Sequence, residues 1–333
     1  MMRKPTINDV AKHANVSVTT VSLALSGKGR ISEITIKKIN EAIQELGYVR
    51  NKNAATLRSG HSAVIGVIVH DIRDPFYAGI ITGINEVLVE QEYIIFLLQS
   101  DMTSAGLFKC VNSLIEQDVS GIILGSGGQI AHEIKTITDK HKIPLILVSQ
   151  SSSVDNILLV RSDNRLGAKL ATEYLISKGH RQIAYLGGRS DSLTRAERVA
   201  GFANALTKHG LKFKTEWVVA DDYPEQLGNF EQLLKQYPNI TAFLCHDTST
   251  TLALILGASK LGRSIGKGGN TSYFEQQIEI FSFGTQSEIY LAKNLISYID
   301  NQPIEIGRQA ANNLLNSGST LPEIVIEPRL ITE

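Results

Sequence analysis

Val18, Thr19, Ser22 and Ser26 fall on one side of a helical stretch that begins just after Ser17. Their chemistry suits a surface reader. Short side chains bearing hydroxyls and methyls can lie flat against a partner. A DNA major groove offers hydrogen-bonding base edges and thymine methyls to meet them. Ser17 adds a second capacity, because a helix start leaves amides unpaired and its dipole favours a phosphate.

The elements that must position this row are two short helices and a turn, TINDVAKHANVSVTTVSLALS at 6–26. Thr6 is expected as the first N-cap, with Asp9 three residues on, close to a capping box. Ile7, Val10, Ala11 and Ala14 follow at i, i+3, i+4 and i+7 and form an inward face. Asn15 and Val16 turn the chain, Ser17 caps the second helix, and Val21, Ala24 and Leu25 repeat the inward spacing. A third helix, from about Ser32 to Leu46, carries Ile36, Ile39, Ala42, Ile43 and Leu46, with Gly47 as its stop.

Helix pairs of this kind occur in many folds, so the distribution of charge decides between readings. Residues 1–60 hold ten Lys and Arg against four Asp and Glu, a net of +6. The whole chain holds 33 of each, so residues 61–333 carry −6 and the overall neutrality conceals two oppositely charged parts. A basic headpiece on an acidic body fits a polyanion at one end only.

The 333 residues suit two or three domains, and 43% hydrophobic with 20% charged residues is ordinary globular composition. The longest apolar runs, such as YIIFLL at 93–98, have strand length rather than membrane-span length. MMRKPTIND lacks the apolar region of an export signal, so a cytoplasmic protein with no membrane partner is expected. Cys110 and Cys245 stand far apart and give neither a disulfide framework nor a zinc site.

Enzyme chemistry finds little support. LGGRSDS at 186–192 matches neither Gly-rich phosphate-loop pattern, and His13 and His180 have no Ser/Asp partners at triad spacing. No metal-ligand spacing stands out, and no cofactor is implied.

Residues 48–61 are polar and read as a hinge. From Ala63 the pattern changes. Short apolar runs, AVIGVIVHD, YIIFLLQS, GIILGS and PLILVS, alternate with amphipathic stretches at 76–90, 104–117 and 130–141. After about residue 160 the alternation restarts. QIAYLGG, EWVVA, TAFLCHD and IEIFSFG are the strands, and 165–178, 196–210, 225–236 and 249–261 the helices. Two βα halves imply two lobes of doubly wound parallel sheet with a ligand cleft between them. Residues 262–276 read as a Gly-rich surface loop.

TINDVAKHANVSVTTVSLALSGKGRIS, LGYVRNKNAATLRSG, IGVIVHDIRDPFY, GHRQIAYLGG and the spacing of Arg198 to Gly201 resemble the LacI/GalR family of transcription regulators along the full length. LSGKGRIS, SLTRAERV and SYFEQQ narrow the likeness to its maltose-regulon branch. The resemblance implies an α/β fold. A small all-α helix-turn-helix headpiece (1–47) and a hinge (48–61) precede a two-lobed, periplasmic-binding-protein-like core (62–333). The N-lobe is expected at about 62–161 plus 291–320, and the C-lobe at about 162–290 plus 321–333.

The resemblance also implies a repressor that binds a pseudo-palindromic double-stranded operator as a homodimer. Val18, Thr19 and Ser22 then face base edges, Thr6, Ser17 and Asn51 contact phosphates, and Ala54 and Leu57 sit at the centre of the site. Thr20, Leu23, Ser26 and Arg30 complete the candidate DNA-contacting set. Leu57 on a polar segment suits a wedge between base steps, or else packing on its own core. Leu23 stands where the family often has Arg, and Val18 and Thr19 replace a bulky polar pair. Readout then leans on methyl contacts, hydroxyls and DNA shape. Arg50 replaces a common hinge proline.

In the cleft the resemblance assigns Phe76, Arg198 and Asp247 to a small-molecule effector, a sugar or sugar phosphate. Asp163 fits either a ligand contact or a helix cap, and His246 either a ligand donor or a strand-end cap. Gly284 and Thr285 stand where many relatives have an acidic residue. A soluble sugar-binding protein without a DNA role is the alternative. PEIVIEPRLI reads as a last strand with no heptads after it, so no C-terminal helix bundle is expected. The strand–helix pair at 63–90 is a candidate dimer face.

Overall fold

The computed structural model describes residues 4–26, 29–49, 62–101, 103–125, 131–149, 156–222, 228–267, 277–285, 295–316 and 322–332. The chain divides into two compact units, Met1–Ser62 and Ala63–Glu333.

In the first unit α1 spans Ile7–His13, α2 Val18–Ser26 and α3 Glu33–Leu46. Thr6 and Asp9 close a capping box, with the backbone amide and the hydroxyl of Thr6 each donating to Asp9 Oδ2 at 2.7 Å. Ser32 caps α3 by accepting from the Thr35 amide, and Gly47 ends it at φ +61°. Val10, Ala11, Ala14, Val21, Ile39 and Ala42 form the core, flanked by Ile7, Ala24, Leu25, Ile43 and Leu46. Ile36 departs from its expected burial and is 39% exposed. The core shared with α1 and α2 takes up α3 only from Ile39 onward, so the first turn projects past it. The Nε2 of His13 meets Glu45 Oε2 at 2.7 Å and ties α1 to α3 at the surface.

The second unit holds two six-stranded sheets. The first is ordered β11-β5-β4-β3-β1-β2 and is parallel throughout. Its strands are β1 (Val64–Val69), β2 (Ile94–Gln99), β3 (Gly121–Leu124), β4 (Leu145–Val148), β5 (Leu158–Ser162) and β11 (Glu323–Ile326). The second is ordered β12-β10-β9-β8-β6-β7 and is parallel except for the β10–β12 pair. Its strands are β6 (Ile183–Leu186), β7 (Val218–Val219), β8 (Ala242–Cys245), β9 (Glu279–Gly284), β10 (Ser297–Asp300) and β12 (Arg329–Ile331). Helices α4 (Pro75–Glu90), α5 (Ser104–Glu116), α6 (Ala131–Lys140) and α11 (Pro303–Asn316) accompany the first sheet. Helices α7 (Asn164–Ser177), α8 (Leu193–Lys208), α9 (Gly228–Gln236) and α10 (Thr248–Lys260) accompany the second.

Unbroken aliphatic runs make strands buried on both faces: VIGVIV of β1 and LILV of β4 are almost wholly enclosed. Helices α4 and α11 then press backbone to backbone. A Cβ on Gly83 would lie 1.9 Å from the Ile304 carbonyl oxygen, so no larger residue fits there without movement.

Two lobe assignments need correction. Ser297–Asp300, expected in the N-lobe, pairs with β9 in the second sheet, whereas Glu323–Ile326, expected in the C-lobe, pairs with β5 in the first. PEIVIEPRLI is therefore two strands in two sheets. Pro328 has no amide to donate and disfavours helix before it, and the chain crosses between lobes at Glu327–Pro328. The crossings are knit together: Ser162 Oγ donates to Asn301 Oδ1 at 3.3 Å, and the Asp163 amide donates to the Ile326 carbonyl at 3.0 Å.

Among the described residues no helix is long and apolar enough to cross a membrane.

Candidate functional site

In the headpiece, Ser17 caps α2 as expected, accepting from the Thr20 amide at 3.0 Å and sharing a 2.8 Å hydroxyl contact with Thr20 Oγ1. No acidic residue occupies the first turn. Among the described residues nothing accepts from the amides of Val18 and Thr19. The positive end of the helix dipole is thus open to an anion. Val18 and Thr19 are exposed, Ser22 is half-buried, and Leu23 lies one turn further on, 39% exposed. Leu23 leans toward Gly29, whose φ of +99° turns the chain toward exposed Arg30. Thr6 sits at the start of α1 with its hydroxyl engaged by Asp9. Ser26 ends α2, and its side chain is outside the described set. Asn51, Ala54 and Leu57, with Arg50 and most of the expected hinge, lie outside the described residues.

In the core, a cavity of about 450 Å³ opens between the two sheets. Its walls come from residues just past the carboxyl ends of strands: His70 after β1, Ser149 after β4, Gly188 after β6, His246 and Asp247 after β8, and Thr285 after β9. Four of the five expected effector residues line it: Phe76, Arg198, His246 and Asp247. Asp163 does not. Its carboxylate accepts from the Leu166 amide at 2.8 Å and caps α7, the second of the two alternatives open in the sequence.

Arg198 is buried, with its guanidinium 3.7 Å from the centre of the Phe283 ring. Its Nε donates to Asn164 Oδ1 at 3.0 Å and its Nη1 to the His246 carbonyl at 2.5 Å. Asp247 caps α10 through the Thr250 amide at 2.7 Å. Asp74 caps α4 by accepting from the Phe76 amide, so Phe76 enters the cavity at a helix start. Tyr77 braces that corner: its hydroxyl donates to the Gly125 carbonyl at 2.9 Å and its ring stands edge-on to His70.

A charged bridge runs beside Arg198. Arg161 of β5 contacts Glu323 of β11 and donates to Glu197 of α8 at 3.2 Å, so it ties the first lobe to the second. Glu197 also accepts from Asn164 Nδ2 at 3.2 Å, which fixes the amide that holds Arg198. Asn164, Glu197, Phe283 and Asp221 were not singled out from the sequence. Three of them adjoin Asp163, Arg198 and Gly284, so the signal was adjacency to strand ends and helix starts.

His246 shares a 2.7 Å hydrogen bond through Nδ1 with the Tyr185 hydroxyl. Gly188, at φ +72°, leaves room for the imidazole, since a Cβ there would lie 2.7 Å from Nδ1. Burial first, then the charges of Arg198 and Arg195, hold the His246 pKa well below its ordinary 6.5, so the ring is neutral. The unfolded chain accepts a proton that the folded state refuses. The contribution of this site to stability is therefore full above about pH 6.5 and is lost as pH falls below that toward the depressed native value. Melting temperature should drop through this window, and less steeply in His246→Gln. Equal slopes in calorimetric melts of the two proteins would contradict the assignment.

Family comparison agrees with this two-unit architecture. Residues 6–51 match the bacterial regulatory proteins of the lacI family, and residues 62–331 match the periplasmic binding proteins and sugar binding domain of the LacI family. The maltose regulon regulatory protein MalI of Escherichia coli (strain K12) is 38% identical over 315 residues, covering 94% of this chain and 92% of that protein. The fold is shared with the lac repressor dimer bound to operator and the anti-inducer ONPF (TM-score 0.81, 21% identity, 99% and 98% of the two chains). It is shared too with the transcriptional regulator CelR in its cellobiose complex (TM-score 0.68, 22% identity, 98% of each). The chain belongs to the LacI family of bacterial regulatory proteins.

Proposed function

We propose that this protein is a cytoplasmic transcriptional repressor of sugar uptake or metabolism genes, of the maltose-regulon type. It binds a pseudo-palindromic operator as a homodimer and is modulated by a sugar in the core cleft. The observation that carries the reading is the exposed Val18–Thr19 start of α2, with its uncommitted amides, within a headpiece and hinge (residues 1–60) of net charge +6. That helix start would meet a phosphate, and Val18, Thr19 and Ser22 would face base edges, flanked by Thr20, Leu23, Ser26 and Arg30. Asn51, Ala54 and Leu57 would complete the contacts from the hinge. The names of MalI and of the operator-bound lac repressor point the same way.

The cleft supplies the switch. A ligand touching Phe76, Arg198, His246 and Asp247 would alter how the lobes meet across the Arg161–Glu197 bridge. A coupling of about 1–3 kcal/mol changes DNA affinity roughly 5- to 150-fold. Mapping protected genomic DNA with and without added maltose tests the reading; uniform protection with no preferred locus overturns it. Deleting residues 1–60 separates it from a sugar-binding protein without a DNA role, which would keep its whole function.

A second copy would cover the apolar surface of the core. Ile94 (58% exposed) and Phe96 (37%) stand on the edge strand β2, and Leu252 (57%) and Leu256 (64%) stand one turn apart on α10. Open apolar edges invite pairing. The strand–helix pair 63–90 would contribute through its helix, where Val89 is 61% exposed, rather than through β1, which is interior and enclosed. Each leucine buried contributes about 1.5–3 kcal/mol. A Leu252→Glu, Leu256→Glu protein is therefore expected to dissociate roughly a hundredfold more readily in sedimentation equilibrium. Unchanged association would move the interface elsewhere.

A further inference from the structure

We infer that the cleft is built for an uncharged polyhydroxyl ligand and rejects its phosphate esters, with Asp221 as the group that sets this preference. The inference rests on the effector reading and narrows it.

Among the described residues three guanidiniums reach the cavity; Arg161 and Arg189 are paired with carboxylates, and Arg198 is pinned through Nε and Nη1, which leaves only its remaining edge for a ligand. Arg161 is held by Glu197 and Glu323. The fork of Arg189 is taken by Asp191, with Nε at 3.0 Å and Nη2 at 2.8 Å from its two carboxylate oxygens. Arg198 lies flat on Phe283 with its donors directed at Asn164 and the His246 carbonyl. A phosphate needs a fork or point charge to itself. His246 cannot supply one, because it is neutral.

Helix starts are the other common phosphate sites. Those of α4, α7 and α10 are capped by carboxylates, Asp74, Asp163 and Asp247, so an anion there would meet a negative charge. Among the described helix starts at the cavity, only α8 opens on a neutral cap, Ser192, beside the paired Arg189.

Asp221 tips the balance further. It lines the cavity, and among the described residues its carboxylate has no hydrogen-bond donor. Burial, followed by repulsion from Asp247 and Asp222, raises its pKa. Two acceptor groups in one wall suit sugar hydroxyls, which donate, and oppose phosphate oxygens, which only accept. Phe76, half-buried in the cavity wall, offers an apolar surface for the carbon side of a sugar ring.

Calorimetric titration of the full-length protein with glucose, maltose and trehalose, and with glucose 6-phosphate and trehalose 6-phosphate, tests this. At least one uncharged sugar should bind about tenfold or more tightly than its phosphate ester. Asp221→Asn should narrow that gap roughly tenfold by removing one like charge. A gap left unchanged in the folded variant, or in Asp221→Ser should Asp221→Asn not fold, overturns the role of Asp221. A phosphate ester that outbinds its parent sugar overturns the inference and leaves the effector reading intact. Glucosamine binding tenfold more tightly than glucose would also overturn it, in favour of a cationic ligand. No binding by any of these compounds, from protein that still holds DNA, overturns the effector reading and the inference together.

Discussion

A Val21→Asp protein is expected to lose sequence-specific DNA binding by roughly a thousandfold or more while its core stays folded. Val21 is fully buried on α2, packed among Val10, Ala11, Ala14, Ile39 and Ala42. An unpaired carboxylate in that position costs several kcal/mol. The headpiece shares one small apolar cluster among three short helices, and a unit of that size has little stability in reserve. It should unfold, and the Val18–Thr19 helix start disappears with it. The core has its own four apolar clusters and forms a separate compact unit, so its melting transition should be unchanged. Calorimetry alongside operator titration checks both halves. A variant that still binds within tenfold of the parent would show that α2 is not the reading element.

Arg198→Ala should abolish the response to the effector and leave DNA binding in the absence of ligand largely intact. The guanidinium joins four groups: the Asn164 amide, the His246 carbonyl, the Phe283 face and the ligand space. Removing it leaves two buried acceptors without their donor, and each unsatisfied group costs about 1–3 kcal/mol. Ligand affinity should fall about a hundredfold or more, since the lost contact is charge-assisted and desolvated. Arg198→Lys should recover little. An ammonium cannot stack flat on Phe283 and bond Asn164 and the His246 carbonyl from one plane. Titration of sugar and of operator, separately, distinguishes this from general unfolding, in which both would be lost.

Much of this was legible in the sequence because it depends on local physics. The Thr6–Asp9 box, the Ser17 cap and the Val10–Val21 inward spacing are each set within one or two turns, and all appear in the folded headpiece. The βα alternation also held, because strands buried on both faces need unbroken aliphatic runs such as those of β1 and β4. What stayed hidden depended on contacts far apart in the chain. β5 carries Arg161, a polar break whose reason is Glu323, 162 residues away. β10 and β11 exchanged lobes because only the crossing strands decide which sheet each one joins. Asp163 read equally well as a ligand contact or a cap, since both need an acid before a helix, and only its 2.8 Å bond to Leu166 decides between them. Asp221, in a polar loop after β7, carried no pattern at all.

The central claim is that the trihelical headpiece, used twice, grips duplex DNA through its phosphates and one preferred sequence. A footprinting titration across a salt series tests it most directly. The account predicts one protected locus with two related half-sites. If each dimer neutralises about eight phosphates, log affinity should fall against log salt with a slope near −7. Protection spread evenly along the DNA, or a slope near zero, would contradict it.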